Sequence, residues 1–200
     1  MHRYLEFKHG VLSRAALTIH QPFRLHKPTF RKKRKMKSLD DRILIYIQDH
    51  IRNPVLDPVM IAVTNLGNGL WFVIGVYLWF SGKNIPGGRY ILISLLVSWI
   101  LSKIFKVIFG RTRAYHAISG LTTIVPEPKD KAFPSAHAAT AFGGAFAVLF
   151  LYPGISGAAS ILFAVLISFS RMYVGVHYLT DLLGGAVTGA IGAAICLLIL

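Results

Sequence analysis

From residue 40 onward the chain alternates long apolar runs with short polar interruptions. In 40–51, Ile43, Leu44, Ile47 and Ile51 fall on one side of a helix, while Asp41, Arg42, Asp49 and His50 fall largely elsewhere. That is the pattern of an amphipathic helix lying at an interface. Asn53-Pro54 and Asp57-Pro58 then interrupt and restart the helix, since proline disfavours helical geometry in the residue before it. Beyond Pro58 the apolar runs cover about 59–81, 90–109, 135–152, 155–170 and 178–200. Against the roughly 17 to 25 residues a helix needs to cross a bilayer, these predict about five transmembrane helices, the fourth short. The chain therefore reads as all-α: a polytopic membrane helix bundle with an N-terminal amphipathic interfacial helix. The connections at 82–89 and 153–154 carry turn residues, and Trp71, Trp79, Tyr90, Trp99 and Tyr152 read as interfacial anchors where they fall near span ends. If the spans alternate in direction, the 110–134 loop and the 171–177 segment share one membrane face, and the two short turns share the other.

Composition agrees with a membrane as solvent: 54% of the 200 residues are hydrophobic and only 15% charged, more apolar than a soluble domain of this length requires. The net charge of +14 is unevenly placed, because residues 1–35 hold ten Lys/Arg against Glu6 alone. This divides the chain into a basic, disordered tail over 1–35 and a membrane domain over 36–200. In the tail, Arg14 splits the only apolar stretch, so no secretory signal is expected, and Met36 followed by Lys37, Ser38 and Leu39 reads as a natural start. The basic run 31–35 is read as a solvated block, and no nucleic-acid partner is inferred from it. Cys196, the single cysteine, can form no intrachain disulfide and has no neighbouring metal ligand.

The candidate chemistry lies on the face shared by the 110–134 and 171–177 segments. Lysines, arginines and aspartates cost about 2.5 to 3.5 kcal/mol each at a bilayer centre, so they call for a function or an interfacial position. Lys106 closes one span and Arg113 follows after six residues; an ammonium and a guanidinium can both reach phosphate oxygens. Pro134-Ser135-Ala136-His137 opens the next span. There the unpaired N–H groups of a first helical turn suit an anion, Ser135 offers a hydroxyl, and His137 can protonate a leaving oxygen. In Ser170-Arg171 through His177 to Asp181, the last two stand four apart, on one helix face. The carboxylate can hold one imidazole nitrogen and leave the other free to attack. Arg171 adds a further cation. Acidic residues near these segments, Asp181, Glu127 and Asp130, are too few and scattered for a two-metal phosphatase, and Lys103 and Arg111 are secondary phosphate or headgroup contacts at most. Gly185 and Gly189, with Ala138, Ala141 and Gly144, suit close helix contact, within the bundle or across a homodimer.

Together these residues resemble the type 2 phosphatidic acid phosphatase family. Its pattern runs Lys, six residues, Arg-Pro; then Pro-Ser-Gly-His; then Ser-Arg, five residues, His, three residues, Asp. The chain matches at Lys106 and Arg113, at Pro134, Ser135 and His137, and at Ser170, Arg171, His177 and Asp181. It departs at Ala114, where the pattern has proline, and at Ala136, where it has glycine and where a methyl group crowds the anion site. The resemblance implies a bundle sharing its core with vanadium-dependent haloperoxidases, and a metal-independent phosphatase needing no cofactor. Its substrate would be a lipid phosphate such as undecaprenyl pyrophosphate, phosphatidylglycerophosphate or phosphatidic acid. It further implies that His177, oriented by Asp181, forms a phosphohistidine, that His137 acts as general acid, and that Lys106, Arg113, Ser135, Ala136 and Arg171 bind the phosphate. A lipid phosphotransferase passing the phosphate to a hydroxyl acceptor, and a non-catalytic lipid-phosphate binding module, are the alternatives. The family resemblance favours a multi-pass protein of the cell membrane with its site on the extracytoplasmic face, although the positive charges alone would point to the cytoplasm.

Overall fold

Local signals at the start of the chain's first helix are read directly in the structure, a computed structural model that describes residues 38–82 and 85–199, without the side chain of Asn68. The tail expected over 1–35 lies outside the described residues. Ser38 and Asp41 form a reciprocal capping box, Asp41 N–H donating to Ser38 Oγ at 3.2 Å and Ser38 N–H to Asp41 Oδ2 at 3.1 Å. They open α1, Leu39–Tyr46, which runs on as a π-helical turn over Ile47–Ile51. Asn53 Oδ1 then accepts from the N–H groups of Val55 and Leu56, both at 3.0 Å, and starts α2, Leu56–Phe80. Pro58 falls in its first turn, where a missing N–H is harmless.

The remaining elements are α3, Ile85–Phe109; the short α4, Ala114–Ala117; α5, Ala136–Leu151; α6, Ile155–Tyr173; and α7, Leu179–Ile199. No strand occurs among the described residues. Helices α2, α3, α6 and α7 are long and apolar enough to cross a membrane, and α5 is a shorter apolar helix. The short member is thus the third run and not the fourth: α5 has 16 residues and α6 has 19. The burial explains it. Helix α5 packs against α2, α3, α6 and α7 at the centre of the bundle and buries eight of its residues, so most of its length meets protein and not lipid. The outer faces carry exposed apolar side chains, among them Phe72, Val73, Val107, Leu162, Val187 and Leu198, as a lipid-facing surface requires.

Small residues set the helix spacing. A Cβ on Gly189 would meet the Ala139 carbonyl at 2.5 Å and the Gly143 nitrogen at 2.7 Å, and one on Gly185 would meet the Ala138 Cβ at 2.6 Å. The backbones of α5 and α7 therefore approach closely because neither side chain exists there. The small-residue faces expected to suit either the bundle or a homodimer are taken up inside the bundle, with Ala138, Ala141, Gly144, Gly185 and Gly189 all buried. Two aromatic residues expected near the membrane surface are also internal. Trp71 points from α2 into the core, against Gly144 of α5 and Phe163 of α6, and Tyr90 is buried with its hydroxyl donating to the Ala193 carbonyl at 2.8 Å. Cys196 is a buried packing residue.

Candidate active site

Three helix ends and one loop meet at one end of the bundle, and local sequence determines what each presents. On α3 the buried face is a polar stripe, Ser94, Ser98, Ser102 and Lys106, spaced four apart. The serines pack against glycines of α5 and α7, Ser94 Oγ donating to the Gly143 carbonyl at 2.9 Å, and the same register carries Lys106 inward at the helix end. Arg113 follows the turn at Gly110 as the residue before α4. Ala114, which stands where the family pattern has proline, is the first residue of α4, a position whose N–H has no helical partner.

Arg171 closes α6, and its Nη1 donates to Thr64 Oγ1 at 2.8 Å; this gives Thr64, a polar residue inside the first span, its buried partner. The chain then turns at Gly175, whose φ is +86° and where a Cβ would meet the Thr122 carbonyl at 2.9 Å. This turn delivers His177 to the bundle end, with α7 beginning two residues later, so His177 lies ahead of the helix and not on its face as the four-residue spacing suggested; the turn at Gly175 and not helical periodicity brings it to Asp181.

Lys106, Arg113, Ala136, His137, Arg171 and His177 line one cavity of about 160 Å³, joined by Lys103 and Asp130. Of the residues singled out from the sequence, two lie behind this lining. Asp181 is fully buried beneath His177. Ser135 is also fully buried, and its oxygen accepts the Ala138 N–H at 3.4 Å as the cap of α5. Ala136, which stands where the family pattern has glycine, is among the lining residues.

His177 is held at both nitrogens. Nδ1 lies 3.3 Å from Asp181 Oδ2, and Nε2 lies 3.2 Å from Arg113 Nη1. A guanidinium can only donate, so Nε2 carries the lone pair and Nδ1–H donates to the carboxylate. Asp181 Oδ2 also accepts the Tyr178 N–H at 3.0 Å. Burial, followed by the charges of Arg113, Arg171 and Lys106, holds the His177 imidazolium pKa well below 6.5, so the ring is neutral at physiological pH. A neutral imidazole with a fixed tautomer and one lone pair directed at a basic cavity is suited to attack an electrophile there.

Arg111, expected to be peripheral, links the site to α1. Its Nη1 donates to Asp181 Oδ1 at 2.8 Å, its Nη2 to Asp40 Oδ2 at 2.8 Å, and its guanidinium lies 4.4 Å over the Tyr178 ring. Thr180 completes the link, its N–H donating to Asp40 Oδ1 at 3.2 Å and its hydroxyl to Asp40 Oδ2. Burial would raise the Asp40 pKa, but the hydrogen bonds from Arg111 and Thr180 outweigh it and hold the carboxyl below its ordinary range. The interfacial helix is therefore docked on the far side of the Asp181 carboxylate. The one advance signal for Asp40 was its place in an amphipathic helix whose acids had no assigned partner.

The sequence pattern of the PAP2 superfamily matches residues 87–200, and the chain belongs to that superfamily. Fold and family place it among membrane-embedded lipid phosphatases, a class of enzyme. It is 27% identical over 68% of its length to an undecaprenyl-diphosphatase of Sulfolobus acidocaldarius, and 29% identical over 70% to the undecaprenyl-diphosphatase BcrC of Bacillus subtilis. The matches span 66% and 72% of those two relatives' own lengths. Among solved structures, a transmembrane PAP2-type phosphatidylglycerolphosphate phosphatase from Bacillus subtilis superposes with a TM-score of 0.66 at 27% identity, over 80% of this chain and 83% of that one. LpxE from Aquifex aeolicus superposes with a TM-score of 0.70 at 25% identity, over 80% and 96%.

Proposed function

We propose that this protein hydrolyses a phosphomonoester or diphosphate on a membrane lipid, without a metal ion, through a phosphohistidine formed at His177. The observation that carries the proposal is the single lone pair of His177 Nε2, held by Asp181 behind it and directed into a cavity walled by Lys106, Arg113 and Arg171. In this reading the three cations take the phosphate oxygens, and Arg113 exchanges His177 for phosphate as substrate enters. Positioning and charge neutralisation are most of what phosphoryl transfer requires. Arg171 Nε is buried without a hydrogen-bond partner among the described residues, which a phosphate oxygen would satisfy. Ala136 and His137 offer first-turn N–H groups to the same anion, and Ser135 shapes that turn through its cap. His177 attacks phosphorus, the alkoxide or phosphate departs with a proton from His137, and water cleaves the phosphohistidine. A cavity of side-chain cations repels Mg²⁺ and supplies the neutralisation a metal would bring.

The substrate class follows from position, since the cavity opens at the bundle end where headgroups sit. Diphosphates of polyprenols are the first candidates, because the relatives with that named activity match most of this chain. The decisive assay measures free phosphate from the purified protein in EDTA, over a panel of polyprenyl diphosphate, phosphatidylglycerophosphate and phosphatidic acid. Release from at least one is expected, and turnover that requires added divalent cation would defeat the mechanism. The same assay carries a pH expectation. Because the folded His177 pKa is lowered, the neutral form persists as pH falls through 6.5; kcat/KM should show no acid limb at that value.

The site is assigned to the extracytoplasmic face of the cell membrane. Lys106, Arg113 and Arg171 sit in the cavity and Arg111 is paired with Asp40 and Asp181, so these charges answer to the site and weigh little as topology signals. A single cysteine placed in the 115–130 loop should react with a membrane-impermeant maleimide in intact cells; labelling only after lysis would reverse the orientation.

A further inference from the structure

The cavity already contains an anion of the protein's own. Asp130, set aside at the level of sequence as too isolated to hold a metal, reaches in from the loop before α5. Its Oδ1 accepts from Arg113 Nη2 at 2.5 Å, and its Oδ2 lies 3.2 Å from Lys106 Nζ and 3.6 Å from Lys103 Nζ. Its backbone carbonyl accepts from Arg113 Nε at 2.8 Å. Two of the three cations assigned to the phosphate are therefore neutralised by a carboxylate, whose two oxygens meet them as two phosphate oxygens would. Arg171 keeps its unpartnered Nε.

This is not a buried structural ion pair. The Asp130 side chain is 41% exposed, so it can turn out to solvent while the loop stays in place. The flanking backbone is pinned independently: Tyr115 donates to the Pro128 carbonyl at 2.6 Å, and the Ala132 N–H donates to the Arg111 carbonyl at 2.9 Å. Burial would raise the Asp130 pKa, but the hydrogen bond from Arg113 and the charges of Lys106 and Arg113 outweigh it and hold it well below the usual carboxylate range. The group is thus an anion at any physiological pH.

We propose that Asp130 is a specificity-determining residue: an internal competitor that occupies the Lys106–Arg113 pair until a ligand with more than one negative charge displaces it. The proposal rests on the phosphatase reading given above and adds selection against the surrounding membrane. Bulk phospholipids are phosphodiesters with one negative charge on phosphorus, and they face the cavity at far higher concentration than any substrate. A monoanion that displaces Asp130 exchanges one charge for another and gains little. A phosphomonoester dianion or a diphosphate brings a second charge and also reaches Arg171. Specificity then arises from a contact that penalises the wrong ligand.

The test compares inorganic phosphate with dimethyl phosphate as probes on the full-length protein in detergent, by thermal shift and by inhibition of turnover. The wild type is expected to be stabilised by inorganic phosphate and indifferent to dimethyl phosphate. In Asp130→Asn, dimethyl phosphate should bind and inhibit roughly tenfold or more tightly than in the wild type, the affinity worth of one charge-assisted hydrogen bond. Asp130→Glu, which keeps the charge, should keep the wild-type discrimination. If Asp130→Asn is unstable in phosphate-free buffer, added inorganic phosphate should restore it by replacing the missing anion. Instability that phosphate does not repair, weaker phosphate binding in Asp130→Asn, or unchanged discrimination would each overturn the proposal. Because thermal shift needs no turnover, a wild type that binds phosphate yet hydrolyses no lipid phosphate would refute the phosphatase reading and leave the competition measurable.

Discussion

Replacing His177 with alanine is expected to reduce phosphate release on the order of 10⁴-fold or more, the scale seen when a covalent nucleophile is deleted from a preorganised site. Among the cavity side chains only His177 has an imidazole whose far nitrogen is held by a buried carboxylate. The Thr140 hydroxyl hydrogen-bonds back to the Ala136 and His137 carbonyls at 3.0 and 3.2 Å, and the remaining lining groups are cations, His137, Trp99, Pro128, Ala136 and the Asp130 carboxylate. The variant should still bind inorganic phosphate, since Lys106, Arg113 and Arg171 remain. Reactions with labelled lipid diphosphate quenched in alkaline detergent make the test specific: labelled protein should form in the wild type, lose its label on later acidification as a phosphoramidate does, and be absent from His177→Ala. Unchanged turnover in that variant would eliminate the covalent route, and lost turnover with labelled protein retained would move the nucleophile to another residue.

The second large effect concerns His137, on the first turn of α5 and in the cavity lining with His177. Its alanine variant should lose roughly 10²- to 10⁴-fold in kcat/KM on lipid phosphates, the range for removal of a general acid. The loss should depend on the leaving group. A lipid alkoxide needs a proton to depart, whereas p-nitrophenolate does not, so with p-nitrophenyl phosphate the same variant should retain most of its activity. An equal loss on both substrates would show that His137 serves binding or folding and not proton transfer. The two variants thus separate the bond made to phosphorus from the bond broken.

Much of this was legible before the fold. The five apolar runs and the amphipathic first helix reappear within a few residues of the observed helix limits, because burial in lipid acts on each segment's own hydropathy and leaves a continuous signal. The pairing of His177 with Asp181 was equally local, a matter of four residues, although His177 stands just ahead of the helix that carries Asp181. Which run would be shortest was not local. The length α5 needs depends on the helices around it, and only packing shows that it is shielded from lipid on most sides. Trp71 and Tyr90 were misplaced for a related reason, since an aromatic residue near a span end looks the same whether it faces headgroups or a neighbouring helix.

The residues that sequence reasoning undervalued all have partners far along the chain. Arg111 and Asp40 are 71 positions apart and Asp40 and Thr180 are 140 apart, and no periodicity links such positions. Asp130 sits in an irregular loop whose path depends on the side chains it meets, so its place among Lys103, Lys106 and Arg113 had no signature beyond its charge. The sequence by itself determined that this is a helical membrane protein and that His177 and Asp181 lie within reach of each other, because hydropathy and short-range spacing are properties of contiguous residues. Only the tertiary structure decided that Arg113 fixes the tautomer of His177, that Arg111 ties Asp181 to the first helix, and that Asp130 pairs with Lys106 and Arg113. Each of these depends on polar or charged groups brought within about 4 Å of one another, the range of hydrogen bonds and strong ion pairs, and that proximity exists only once the helix ends have met.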